Sequence, residues 1–218
     1  MNHNLIKPRT RITSLLVLTS LLTTLIVIQG CKENDPTKED VPELITKATL
    51  TFSPNGGGTP VVVTATDPDG EGVQDIKVDG SINLTATTSY VLSIGLINGL
   101  AAPTEPEYNA TVEVEKEGDE HMFFFAWTNN TFFEPEGNGN IDARADAVNY
   151  TGGTNSTDVN GRPLGLTTTW TSATIAGTAS LSGTFRILLK HQPTLKSDTS
   201  DSNTGETDLD LTFALNIH

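Results

Sequence analysis

Alternation of apolar and polar residues is the feature that most limits how this chain of 218 residues can fold. The C-terminal segment is the clearest example, because every second residue is apolar: Leu209, Leu211, Phe213, Leu215 and Ile217. The same period of two marks the segments 47–52, 61–65, 90–96 and 181–190. Strands of this kind bury one face and expose the other, which is typical of antiparallel sheets.

The spacing of these strands predicts the architecture. Turn residues rich in Gly, Pro, Asn and Asp separate roughly nine or ten short strands. The sequence therefore predicts an all-β fold, an antiparallel β-sandwich that is immunoglobulin-like or similar. Further strands are expected at 76–78, 82–86, 122–128, 147–150 and 164–171. The acidic segment 107–117 fits either a strand or a short helix, and the missing βαβ alternation disfavours a doubly wound fold.

The N-terminus has the organisation of a secretory signal peptide. Three basic residues precede an apolar run over 12–28, and Ile28, Gln29 and Gly30 lead to Cys31, the single cysteine of the chain. This segment resembles a bacterial lipobox, with an aliphatic residue at −3 and glycine at −1, although Gln29 replaces the usual small residue at −2. We expect residues 1–30 to be removed and Cys31 to carry acyl chains such as palmitate. The alternative is an uncleaved anchor helix.

Charge and composition divide the chain into a basic head, a tether and one domain. The net charge of −14 combines a basic head, 1–30, which has three basic residues and no acidic one, with a remainder at −17. So acidic a balance excludes nucleic acid as a partner. Residues 31–43 are charged and contain two prolines, so we expect a flexible tether before one β-sandwich domain over 44–218. The acidic start of the tether resembles the surface-export signals of Bacteroidota lipoproteins, with a soluble spacer as the alternative.

Two groups of residues are candidate metal ligands. The loop from Asp67 has oxygen ligands at the calcium-loop positions 1, 3, 5 and 9, but position 12 is Val78, so a solvated turn is the alternative. Its ligands would be Asp67, Asp69, Glu71 and Asp75. The second group would hold Zn²⁺ or Cu²⁺ if two predicted strands are neighbours. Its ligands would be His121, His191, Glu117 and Glu120, with simple hydrogen bonding by the histidines as the alternative.

The loop 129–143 contains Phe132 and Phe133 among acidic and glycine residues. An exposed aromatic pair would form a ligand platform, whereas a buried pair would close the end of the sandwich. We prefer the interpretation that the pair closes the end of the sandwich. The sequence lacks a G-x-S-x-G, an H-E-x-x-H and a C-x-x-C motif, so we expect a protein that is not an enzyme.

Several segments together resemble a group of uncharacterised Bacteroidota lipoproteins, which are sometimes loosely labelled as a type 1 periplasmic binding fold. They are the lipobox, residues 43–52, 56–60, 67–72, 120–121, 161–166, 191–193 and 205–208. The resemblance implies a location in the cell envelope and supplies no activity or ligand residues. That label denotes an α/β fold, whereas the alternation predicts β-structure.

These observations lead to three functional hypotheses. The first is an outer-membrane lipoprotein, facing the periplasm or the cell surface, that binds a ligand without catalysis and assists a TonB-dependent uptake receptor. The second is a metal-capturing or metal-delivering lipoprotein that uses His121 and His191, with Zn²⁺ or Cu²⁺ as the ion. Ca²⁺ is the ion expected for the loop from Asp67. The third is a structural or adhesive surface protein.

Overall fold

The protein is described by a computed structural model that covers residues 43–67, 69, 75–177 and 179–218. Cys31, the signal peptide and most of the tether lie outside these residues. The strands are β1 Lys47–Pro54, β2 Val61–Thr66, β3 Lys77–Asp79, β4 Ser81–Leu84, β5 Ser89–Ile97, β6 His121–Trp127, β7 Phe132–Glu134, β8 Thr167–Ser172, β9 Leu181–His191 and β10 Glu206–Ile217. One α-helix, α1 Ala110–Lys116, lies between β5 and β6.

The strands form two sheets that pack face to face, which confirms the predicted β-sandwich. A six-stranded sheet has the order β3-β2-β1-β5-β8-β7, and a four-stranded sheet has the order β4-β10-β9-β6. All pairings are antiparallel except that of β4 with β10, which is parallel. Residues 43–218, where described, belong to one compact unit that spans Asp40–His218.

The predicted alternation corresponds to the two faces of the sheets. The apolar residues of β10 from Leu209 to Ile217 are all buried in the core, as are Leu50 and Phe52 of β1. The polar residues between them face outward, and Asp210 forms a surface ion pair with Arg186. In such a strand the backbone N–H and C=O groups form hydrogen bonds within the sheet, and only the apolar face is buried.

The structure decides one ambiguous segment and corrects one predicted strand. The ambiguous segment 107–117 contains α1, which buries Ala110 and Val114 and leaves Val112 exposed. Residues 147–150 do not form a strand. Tyr150 instead donates its hydroxyl proton to the carbonyl of Phe123, and the segment lies against the sandwich as an irregular loop.

The inward-facing residues change from aromatic to polar along β6. Towards its C-terminal end the core is aromatic, and the Trp127 and Trp170 rings meet edge to face with centroids 5.2 Å apart. Towards its N-terminal end the inward position is His121 instead of a hydrophobic residue. This polar end of the sandwich is the candidate functional site.

Candidate metal centre

Two histidines face each other across adjacent strands. His121 begins β6, His191 ends β9, and the register of the two strands pairs them directly. Both share the inward face with Phe123 and Leu189, and both are buried. Their rings stack with centroids 4.5 Å apart and planes 7° from parallel. Strand pairing alone therefore brings together two residues separated by seventy positions in the chain.

A β-bulge adds a carboxylate to the pair. The register of β10 on β9 shifts between Thr207 and Leu209, and Asp208 is the extra residue. Its side chain is 0% exposed, and Oδ2 lies 3.5 Å from Nε2 of His121. Neither carboxylate oxygen receives a hydrogen bond from the described residues. Bulges commonly redirect a side chain in this way beside functional sites.

The hydrogen bond on the other side of the His121 ring fixes its tautomer. Nδ1 lies 3.1 Å from the carbonyl oxygen of Glu117. A carbonyl can only accept, so Nδ1 carries a proton, and in the neutral form of the ring the lone pair lies at Nε2. That lone pair then faces the Asp208 carboxylate inside the protein. Two buried acceptors in this position require a proton or a cation between them.

The separation of the two acceptors suits a metal ion. A distance of 3.5 Å is longer than an ordinary hydrogen bond. Two ligands of a tetrahedral zinc ion, each about 2.0–2.1 Å from the metal, lie roughly 3.3–3.4 Å apart. The proton that Nδ1 donates to a backbone carbonyl is also the usual way in which a metal-binding imidazole is oriented.

Glu117 and Glu120 complete the cluster. Glu117, His121 and His191 each have one donor atom within 4.8 Å of the other two. Oε2 of Glu120 lies 3.7 Å from Nε2 of His191. The nearly parallel ring planes do not direct both lone pairs at one point. Binding of one ion by both imidazoles therefore requires the His191 ring to rotate about its Cβ–Cγ bond.

A pair of carboxyl groups lies next to the histidines. The Glu43 side chain is hydrogen-bonded to Glu113 of α1. Burial, the hydrogen bond to Glu113 and the negative charges of Glu113 and Glu117 together raise the pKa of Glu43 from 4.5 to about 7, and the charge of His121 in its protonated form opposes the shift. Two carboxyl groups share a hydrogen bond only when one of them holds a proton. The site is thus acidic on the side of α1 as well.

The ammonium group of Lys196, which contacts the carbonyl of His121, is held by polar groups of the protein. Its Nζ donates to the carbonyl oxygens of Gly118 at 2.6 Å and His121 at 2.7 Å, and it lies 3.2 Å from Oδ2 of Asp158. Burial lowers the pKa of this lysine, and Asp158 opposes the change. These contacts fix the first residue of β6 and so help to hold the His121 ring in place.

The predicted ligands His121, His191, Glu117 and Glu120 therefore lie together at one end of the sandwich. Sequence reasoning missed Asp208, Glu43 and Glu113. The position of Asp208 depends on the bulge, because simple alternation places it on the outer face with Asp210. Glu43 and Glu113 belong to an irregular segment and to a helix that the periodicity left undecided.

The described residues Asp67 and Asp69 of the predicted calcium loop form a hydrogen-bonded turn. Glu71 lies outside the described residues. Oδ1 of Asp67 accepts a hydrogen bond from the backbone amide of Asp69, which is the pattern of a turn. Within the described part of this loop, Asp67, Asp69 and Asp75 do not form a group of three metal-ligating side chains.

The aromatic pair of the loop 129–143 is divided between core and surface. Phe132 is buried and contacts Trp127 and Trp170, so it closes the aromatic end of the core as preferred. Phe133 is 60% exposed and lines an open cleft of about 520 Å³.

Comparison with known proteins identifies no relative: no protein-family model, no curated protein and no solved structure matches the chain. Among the described residues, no helix is long and apolar enough to cross a membrane. The interpretation of the site therefore depends on its own geometry.

Proposed function

We propose that this chain is a lipid-anchored protein of the bacterial cell envelope that captures a divalent transition-metal ion. The ion binds between Nε2 of His121 and the carboxylate of Asp208. These two buried acceptors, 3.5 Å apart and without a hydrogen bond between them, are the observation that carries the proposal. Imidazole and carboxylate together suit Zn²⁺ or Cu²⁺.

Glu117 and His191 each have a donor atom within 4.8 Å of one on His121, and we propose them as the remaining ligands. Glu117 supplies a carboxylate, and His191 joins after its ring rotates. Four protein ligands close the shell of a tetrahedral ion, whereas a catalytic zinc usually keeps one position open for water. This arrangement favours capture of the ion over chemistry on it. Among the three functional hypotheses, the cluster supports the metal-capturing one.

A metal titration tests the site. We would titrate Zn²⁺ into the full-length protein in detergent and measure heat and bound metal. We expect one tightly bound ion, and His121→Ala or Asp208→Asn should weaken its affinity by at least about 100-fold, since each removes a ligand. His218→Ala and Asp210→Asn are matched controls, because His218 is exposed and Asp210 points outward on the same strand. Equal zinc binding by His121→Ala and wild type would contradict the proposal.

The membrane anchor is a separate part of the proposal. It is supported by the lipobox-like sequence ending at Cys31 and by the acidic tether that follows. The lipid would hold the domain at the outer membrane, where captured metal could pass to a TonB-dependent receptor. Labelled palmitate should be incorporated into the wild type and not into Cys31→Ala. Equal labelling of both chains would exclude lipidation at this residue.

A further inference from the structure

The residues around the two histidines differ in their exposure to solvent. The side chains of His121 and Asp208, the inner pair, are both 0% exposed, so an ion reaches them only past other side chains. Next to them lies an outer pair, His191 and Glu120, whose side chains are 4% and 30% exposed. Burial therefore increases in steps from Glu120 through His191 to the inner pair.

The outer pair has the same kinds of donor atom as the inner pair. Oε2 of Glu120 lies 3.7 Å from Nε2 of His191. This separation is slightly wider than the roughly 3.3–3.4 Å between two ligands of a tetrahedral zinc ion. The backbone amide of Gln192 donates to the carbonyl oxygen of Glu120 at 2.6 Å, which holds Glu120 beside the end of β9. A small movement of the Glu120 side chain thus lets both residues bind one ion.

The stacked rings connect the two pairs. The ring centroids of His121 and His191 are 4.5 Å apart and the ring planes are 7° from parallel, while each Nε2 lies near a different carboxylate. Rotation of the His191 ring about its Cβ–Cγ bond takes its Nε2 away from Glu120. His191 is therefore able to bind an ion at either position, whereas Glu120 binds it only at the outer one.

We propose that Glu120 and His191 form an entry site, where Zn²⁺ binds first, and that rotation of the His191 ring then transfers the ion to His121 and Asp208. This inference rests on the proposed function, because His191 is one of its four ligands. Glu120 is not one of the four, and the entry step gives its carboxylate a role.

The charge of Lys196 favours this route. Its Nζ lies 2.7 Å from the carbonyl oxygen of His121, so a metal ion that approached along that side would meet a like charge. The partly exposed carboxylate of Glu120 instead attracts a cation from solution. An ion held there is already next to the first imidazole that it has to bind.

The kinetics of zinc binding test the entry site. Metal-free full-length protein in detergent is mixed with Zn²⁺ in a stopped-flow instrument, and a fluorescent indicator reports free Zn²⁺. Release is measured by transfer from the loaded protein to excess chelator. Glu120→Gln should lower the rates of binding and release about tenfold each, because the ion enters and leaves by the same path. Its Kd should change by less than about fivefold, since Glu120 is absent from the final shell.

Two further variants serve as controls. Asp119→Asn removes the same charge from the neighbouring exposed residue and should bind and release zinc at rates close to those of wild type. Glu120→Asp keeps a carboxylate and should bind and release zinc faster than Glu120→Gln. Thermal unfolding of each variant shows that a change in rate is not a loss of fold.

Each contrary result has a distinct meaning. Unchanged rates in Glu120→Gln overturn the entry site, and so does equal slowing in Asp119→Asn, which would show only a general attraction of cations. Weaker affinity of Glu120→Gln with an unchanged binding rate also overturns it, because Glu120 would then be a ligand of the final shell. In all three cases wild-type zinc binding leaves the proposed function standing. Failure of the wild type to bind zinc overturns the proposed function itself.

Discussion

At the scale of single residues, His121 is the best-defined group of the site. Its Nδ1 proton is committed to the carbonyl of Glu117, and its Nε2 lone pair faces the buried Asp208 carboxylate. Without a metal ion this contact requires a bound proton between Nε2 and the carboxylate. The metal-free protein must therefore hold a proton here that a suitable substitution makes unnecessary.

Replacing Asp208 by asparagine should remove this requirement for a bound proton. The amide group of Asn can donate a proton to Nε2 of His121, so the metal-free variant should gain about 1 kcal/mol in free energy of unfolding. Thermal unfolding in the presence of a chelator measures the change. Asp210→Asn is the control and should not gain stability, because it weakens an exposed ion pair. A clear loss of stability in Asp208→Asn would argue against the assigned tautomer.

The pH dependence of stability should report on Glu43. Its pKa is about 7 in the folded protein against an ordinary value of 4.5, so the folded chain binds more protons between these values. The stabilisation is complete below about pH 4.5 and is lost as the pH rises through about 7. Because Glu43 is partly exposed and coupled to Glu113, we expect an effect on the order of 1 kcal/mol.

Denaturant unfolding of the metal-free protein at pH 5 and pH 8 measures this effect. Wild type should lose stability relative to Glu43→Gln as the pH rises, because glutamine cannot ionise. Parallel pH profiles for the two proteins would show that Glu43 is not protonated in the folded state.

At the scale of elements, the bulge in β10 and the contacts of Lys196 determine where the site residues lie. Alternation along β9 and β10 predicted both strands and their buried faces. It could not predict the bulge, because the apolar period continues from Leu209 onward while the register changes only at Asp208. The prediction that His121 lies beside His191 likewise depended on their strands being neighbours. A period of two shows that a strand has one buried face, but it does not show which strand lies beside it.

Lys196 should be essential to the start of β6. Lys196→Met removes two hydrogen bonds to carbonyl oxygens and leaves the buried Asp158 carboxylate without its cation. Breaking a buried ion pair in this way costs about 3–5 kcal/mol. Equilibrium unfolding in urea measures the loss, and Lys116→Met, at an exposed position of α1, is the control. A loss below about 1 kcal/mol would contradict the structural role of this contact.

At the scale of the whole molecule, local periodicity predicted the class of fold and left its topology open. The parallel pairing of β4 with β10 joins segments more than a hundred residues apart, and no short-range signal encodes it. Helix α1 was ambiguous because Val112 and Val114 alternate as in a strand, whereas the density of acidic residues fits a short helix. The site residues that sequence reasoning found are those beside strong strands, and those it missed depend on a bulge, a helix and the last residue of the predicted tether.

The sandwich thus presents a hydrophobic interior that becomes polar at one end. The end that contains the histidines also contains Glu43, where the predicted tether meets the domain.

X-ray absorption at the zinc edge of the loaded full-length protein tests metal capture most directly. We predict a first shell of about four nitrogen and oxygen atoms near 2.0–2.1 Å, with the outer-shell scattering of imidazole. In Asp208→Asn the first shell should change, and in His121→Ala the imidazole scattering should decrease. A spectrum of hydrated zinc without imidazole scattering, identical in wild type and both variants, would contradict the assignment of this site.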